Sequence, residues 1–134
     1  MCYGELIVGG VRRTLGFMPL VTLYTSAETH TEEKSATLLR DLSSSTARLL
    51  GKPESYVMTC LLPRTSMTFA GSPRPSCLVE IKSIGALGGD SAKRLTEAVC
   101  KIVHDALGVP TNRTYVVFAD VPAPLWGFDG KTFG

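Results

Sequence analysis

Residues 50–62, LGKPESYVMTCLL, contain a helix end, a turn and a strand in that order, and residues 107–120, LGVPTNRTYVVFAD, contain the same three. Gly51 and Gly108 can adopt the left-handed conformation that closes a helix, and Pro53 and Pro110 prevent its continuation. An amphipathic run precedes each, from about Thr31 to Leu50 and from about Asp90 to Leu107. A strand-like segment precedes each run in turn: PLVTLYT (19–25) and CLVEIKSIG (77–85). The chain therefore reads as a strand–helix–strand unit repeated about 57 residues on.

The element ends have local reasons. Thr29-x-x-Glu32 fits a capping box, and Asp90 is placed to accept from the first amides of the second helix. In that helix Leu95, Ala98, Val99, Ile102, Val103, Ala106 and Leu107 trace one apolar stripe. The first helix is less regular, because Leu38, Leu39, Leu42, Leu49 and Leu50 share it with three serines at 43–45. Tyr56 to Leu62 alternates as a strand, and Tyr115 to Ala119 has no polar face. The expected fold is α/β: two βαβ units forming a four-stranded sheet with two helices on one face. Two helices leave the other face open. Its apolar residues predict a second subunit against it, with Ile81 taken as one of the inward positions.

Composition narrows the function. With 134 residues the chain is most simply one domain. A net charge of +2, with Arg12-Arg13 and Lys93-Arg94 only as pairs, predicts no nucleic-acid surface. No apolar run nears the ~18–20 residues of a bilayer span, and no membrane partner is expected. Residues 1–17, MCYGELIVGGVRRTLGF, lack the order of a signal peptide, and Gly9-Gly10, Arg12-Arg13 and Thr14 suggest a tail more than a strand. Cys2, Cys60, Cys77 and Cys100 form no C-x-x-C pair, and with only His30 and His104 there is no zinc spacing. Reduced thiols and a cytoplasmic location are expected, with secretion lacking a signal peptide as the other route.

Single candidate residues have bland readings of their own. Gly85-x-x-Gly88-Gly89 before a helix could hold an anion, or be a plain turn. His104-Asp105 are helix neighbours, which do not face each other, so no hydrolytic triad is supported. Pro19 heads a strand, where proline need not donate to the ladder. Lys52 follows a helix end, where a cation suits the macrodipole. Tyr115 begins a strand, where aromatics are common.

Together, MPLVTLYT (18–25), GKPESYVM (51–58), SMTFAGS (66–72), IKSIGALGG (81–89), RTYVVFAD (113–120) and WGFDGKTF (126–133) resemble, in order, the macrophage migration inhibitory factor family of the tautomerase superfamily. The resemblance covers Met18 to Phe133. It implies a tautomerase-like homotrimer with the sheets facing inward and active sites at subunit interfaces. It also implies a keto–enol tautomerase acting on phenylpyruvate-like aromatic 2-oxo acids, with Pro19, freed of the methionine before it, as general base. Lys52 and the Ile84 amide would meet the substrate carboxylate. Leu20, Trp126, Phe128, Phe133 and the Tyr115 of a neighbouring subunit would form the walls. No metal or organic cofactor is implied. The alternative is a non-catalytic, cytokine-like protein of the same fold with a protein receptor.

Several positions depart from the family pattern. Val117 stands where the vertebrate cytokine has an asparagine, and Phe128 where it has a tryptophan. The C-x-x-C of the vertebrate cytokine is broken here as Ser76-Cys77-Leu78-Val79, so dithiol chemistry does not carry over. The gravest departure is the segment 1–17, which makes the Pro19 nitrogen an amide. It is expected to be disordered or absent from the mature protein. Translation from Met18, processing, and a non-catalytic relative all remain open.

Overall fold

The computed structural model describes residues 5–8, 11–14 and 18–134. Where a tail was expected, β1 (Glu5–Val8) pairs antiparallel with β2 (Val11–Thr14) as a separate two-stranded ladder. β-Branched residues on both sides of a Gly-Gly pair are a sequence signal for a hairpin, and it outweighs the charge of Arg12-Arg13. Gly9-Gly10 and Cys2 themselves lie outside the described residues.

The duplicated unit follows. The first half is β3 (Leu20–Thr25), α1 (Glu32–Leu50) and β4 (Met58–Leu62); the second is β5 (Cys77–Ser83), α2 (Gly89–Leu107) and β6 (Thr114–Asp120). A short hairpin, β7 (Gly127–Phe128) and β8 (Lys131–Thr132), ends the chain. The sheet order is β4-β3-β5-β6. Each βαβ unit pairs its own strands in parallel, and β3 joins β5 antiparallel, from Leu20 opposite Lys82 to Thr25 opposite Cys77. Gly51 and Gly108 close their helices at φ 62 and 69. Pro53 and Pro110 each precede one turn of 3-10 helix, which places Tyr56 in a turn rather than in the strand.

The capping residues of both helices differ from expectation. Thr31, not Thr29, caps α1, its hydroxyl accepting from the Lys34 amide at 3.2 Å. A cap must immediately precede the first helical residue, and Thr29 lies too early, where its hydroxyl instead accepts from Ser35 Oγ at 2.8 Å. At α2 the cap is Gly88, whose amide donates to Ser91 Oγ at 2.9 Å. Asp90 lies inside the first turn, 3.9 Å from Arg94.

Between helices and sheet, Val21, Leu23, Val79 and Ile81 pack with Leu38, Leu42, Leu95, Val99 and Val103, all essentially without solvent contact. Of the α2 stripe, Leu95, Val99 and Val103 are fully buried, Ile102 and Leu107 pack half-buried against the core, and Ala106 is exposed. Ile81 belongs to this helix-covered core and not to the open face. Alternation along β5 instead presents Leu78, Glu80 and Lys82 on the open side. That side also carries Tyr24, Met58, Leu62, Tyr115 and Val117, the last two 62% and 52% exposed. Among the described residues no helix is long and apolar enough to cross a membrane.

Candidate active site

Pro19 is buried at the head of β3, where its missing N–H costs no ladder bond, and its carbonyl accepts from the Met58 amide at 3.1 Å. A cleft of about 380 Å³ opens here. Met18, Pro19, Leu20, Tyr56, Met58, Trp126 and Phe128 supply its side-chain walls, with Ser55, Val57 and Gly127 completing it. Met18 is 5% exposed and so occupies part of the space its own removal would open.

The aromatic wall is built by the terminal hairpin. Asp129 and Gly130, at φ 49 and 77, form the tight turn that an Asp-Gly pair between strands signals. That turn folds Phe133 back, so its amide donates to Trp126 O at 3.1 Å and its ring stacks on Phe128 at 6.0 Å. Tyr56 meets the Phe128 ring edge-on, also at 6.0 Å. Phe133 thus reaches the cleft through Phe128 and is not one of its lining residues.

Lys52 follows the α1 cap, and its Nζ donates to Ile84 O at 3.3 Å. Partial burial lowers the ammonium pKa from its usual value, opposed by the charge of Asp120. Asp120, at the end of β6, accepts from the Gly85 amide through Oδ1 at 2.9 Å. Gly85 has φ +69, a conformation that other side chains rarely adopt. The Ile84–Gly85 turn is therefore held from two sides: by Lys52 beyond α1 and by Asp120 at the end of β6. A lysine ammonium has three donors, so the bond to Ile84 leaves two for an anion.

Tyr115 lies elsewhere. It pairs with Leu78, which pairs with Tyr24, four residues along β3 from Leu20 and about 13 Å away at ~3.3 Å per residue. A single chain does not bring Tyr115 to its own Pro19. The ring packs instead on Phe69 at 5.1 Å.

Other candidates resolve more plainly. The Gly88 amide is taken by Ser91, which removes one donor from the anion reading of Gly85-x-x-Gly88-Gly89. His104 is exposed beside Asp105, which pairs with Lys101 at 2.7 Å. No group of three His, Cys, Asp or Glu fit for a metal occurs among the described residues. Cys77 is buried and its thiol is pushed up to about 12, chiefly by burial, leaving it unreactive; Cys60 is free and exposed on the open face. Sequence reasoning missed Tyr56, Met58 and Asp120. The first two sit in GKPESYVM, where strand alternation hides them, and the third ends RTYVVFAD, just past the apolar run.

Residues 18–134 match the family model for macrophage migration inhibitory factor. The chain belongs to that family. Among curated relatives, the macrophage migration inhibitory factor homolog of Brugia malayi is 38% identical over 100 residues, 75% of this chain and 87% of that one. The Xenopus laevis factor is 34% identical over 116 residues, 87% of this chain and 99% of its own. The crystal structure of the Prochlorococcus marinus homologue has a TM-score of 0.81 at 47% identity, covering 86% of this chain and 99% of the other. The Toxoplasma gondii protein has a TM-score of 0.81 at 30% identity, covering 85% and 99%. The family's α/β fold, a four-stranded mixed sheet under two helices, is thus the fold found here.

Proposed function

We propose that the protein is a keto–enol tautomerase for small aromatic 2-oxo acids, with Pro19 as its base once that residue is the N-terminus. The observation that carries this reading is the position of Pro19, heading β3 at an apolar cleft walled by Tyr56, Trp126 and Phe128. A free α-amine titrates near ~7.7–8.0, and apolar surroundings lower that value, so much of it is neutral at neutral pH. Such an amine accepts a proton from one end of the enol–ketone system and returns it to the other. No atom is gained or lost, and no cofactor is needed.

The substrate carboxylate would take the two remaining donors of Lys52 and the Ile84 amide. Its ring would lie against Leu20, Trp126 and Phe128, with Phe133 stacked on Phe128 to back that wall. Tyr115 joins this wall only from another copy, which supports a homotrimer with the open sheet faces inward. The test is loss of enol absorbance from phenylpyruvate by protein starting at Pro19. Turnover no higher than that of Pro19→Gly would refute the reading. A second reading has its own observation: the Met18–Pro19 bond in this chain makes the nitrogen an amide, as a binding protein with an accessory pocket could tolerate.

Lys52 separates carboxylate binding from helix-dipole capping. Lys52→Ala is expected to raise KM for the oxo acid at least tenfold and leave a neutral ester nearly unchanged. A dipole role would cost only ~0.3–1 kcal/mol of stability and treat both alike. The lowered pKa also sets a sign with pH. The ammonium holds the carboxylate below that pKa and releases it as pH rises through it. KM for the acid should therefore climb on the alkaline limb, and Lys52→Arg should move that limb to higher pH.

A further inference from the structure

Arg113 is a buried cation, 6% exposed, in the turn between α2 and β6. Its guanidinium donates to four carbonyls of one loop: Nε to Pro75 at 2.9 Å, Nη2 to Arg74 at 2.9 Å and Ser72 at 3.0 Å, and Nη1 to Phe69 at 3.3 Å. A planar fork with five N–H groups can make such a set, and a lysine cannot. The loop it grips needs gripping. Phe69 and Ser72 exchange both backbone bonds at 3.0 Å around Ala70 and Gly71, both at positive φ, 51 and 71. Alanine in that region is unfavourable, so the turn is imposed by its surroundings rather than by local preference.

The consequence appears two residues beyond Arg113. The Phe69 ring lies 5.3 Å from the guanidinium carbon and 5.1 Å from the ring of Tyr115, tilted by 57°. Tyr115 is otherwise open to solvent, and Phe69 is the ring that restricts it. We propose that Arg113 is a positioning residue: it fixes the 69–75 loop, the loop fixes Phe69, and Phe69 sets the Tyr115 ring that a neighbouring copy uses as a wall of its cleft. The last step rests on the tautomerase reading above; the first three rest on contacts within one chain.

The experiment uses Phe69→Leu, Phe69→Tyr and Arg113→Lys in assembled protein starting at Pro19. Phe69→Leu keeps the carbonyls Arg113 holds but removes the ring. It is expected to raise KM for phenylpyruvate about two- to tenfold, with kcat and an aliphatic 2-oxo acid little changed, and Phe69→Tyr to restore it. Arg113→Lys should give the same selective rise together with a lower Tm. A lower Tm with KM unchanged would make Arg113 purely structural and overturn the proposal. Proton NMR of the Tyr115 ring gives a readout independent of turnover: its shifts in Arg113→Lys should move toward those of Phe69→Leu. Wild-type shifts in Arg113→Lys would overturn the proposal whether or not the enzyme is active. Inactivity of the unsubstituted protein against its Pro19→Gly control would strike only the tautomerase reading.

Discussion

Protein starting at Pro19 should turn over phenylpyruvate, whereas the chain with residues 1–18 still attached should fold and assemble but leave the enol untouched. The difference is chemical. With Met18 attached, the nitrogen lone pair of Pro19 is delocalised into the Met18 carbonyl and accepts no proton. Loss of a general base typically costs 10²- to 10⁴-fold, so residual rates of at most about 1% are expected. Space acts in the same direction, because Met18 lines the cleft and is itself buried. A third sample, starting at Met18, tells the two apart from any effect of the longer segment. It has a free primary amine one residue too early and an amide at Pro19, and it should be as inactive as the full chain. The active form should show one base titrating below the ordinary α-amine value, its activity lost as the amine protonates at lower pH. Intact mass must be verified for each sample, since a trace of clipped protein would mimic activity. Full turnover by verified full-length chain would mean that Pro19 is not the base.

The fold was legible because its punctuation is chemical. Gly51 and Gly108 end helices at positive φ as their lack of a Cβ allows, and the prolines after them force the turn that starts each second strand. Faces were harder to assign. Ile81 reads as an open-face residue only while the two sides of β5 are not told apart, and the open side does carry an apolar residue, Leu78. The polar residues held the answer: Glu80 and Lys82 cannot enter the helix-covered core unpaired, so their side of the strand is the open one. Tyr56 was misplaced for a related reason. Alternation continues back through it, but Pro53 starts a turn that strand periodicity cannot register.

For the site, the family resemblance pointed to Pro19, Leu20, Trp126 and Phe128, which lie at a strand head or in a hairpin and line one cleft. No local pattern shows the contacts made across the fold. Lys52 meets Ile84 across 32 positions, and Asp120 meets Gly85 across 35. Arg113 was passed over because a buried arginine served by carbonyl oxygens has no acidic partner spaced along the chain to reveal it. Tyr115 is the limiting case, since under the proposed assembly the cleft it would wall belongs to another copy.

Opposite faces of neighbouring strands should answer differently to the same charge, and this tests the proposed assembly. Unsubstituted protein should scatter light as three copies of its 14.4 kDa chain; a monodisperse monomer at micromolar concentration would contradict the trimer. Val117→Arg puts the charge on the open face, at a position 52% exposed in one chain, where a guanidinium can stay hydrated. The monomer should keep its circular dichroism and melt cooperatively, but the mass should fall to one third, because three copies of the face would bury three unpaired cations. Mass is the readout rather than turnover, since Val117 shares the exposed face of β6 with Tyr115. Ile81→Arg carries the same charge to the helix side, among Val79, Leu23 and the helix leucines, with no water to reach. A buried unpaired charge costs several kcal/mol, a large part of the ~5–15 kcal/mol by which a domain is stable. That variant should lose its cooperative melt altogether. If Val117→Arg also unfolds the chain, the face is part of the monomer's own core; if it assembles as before, the face is not the one that meets a neighbour.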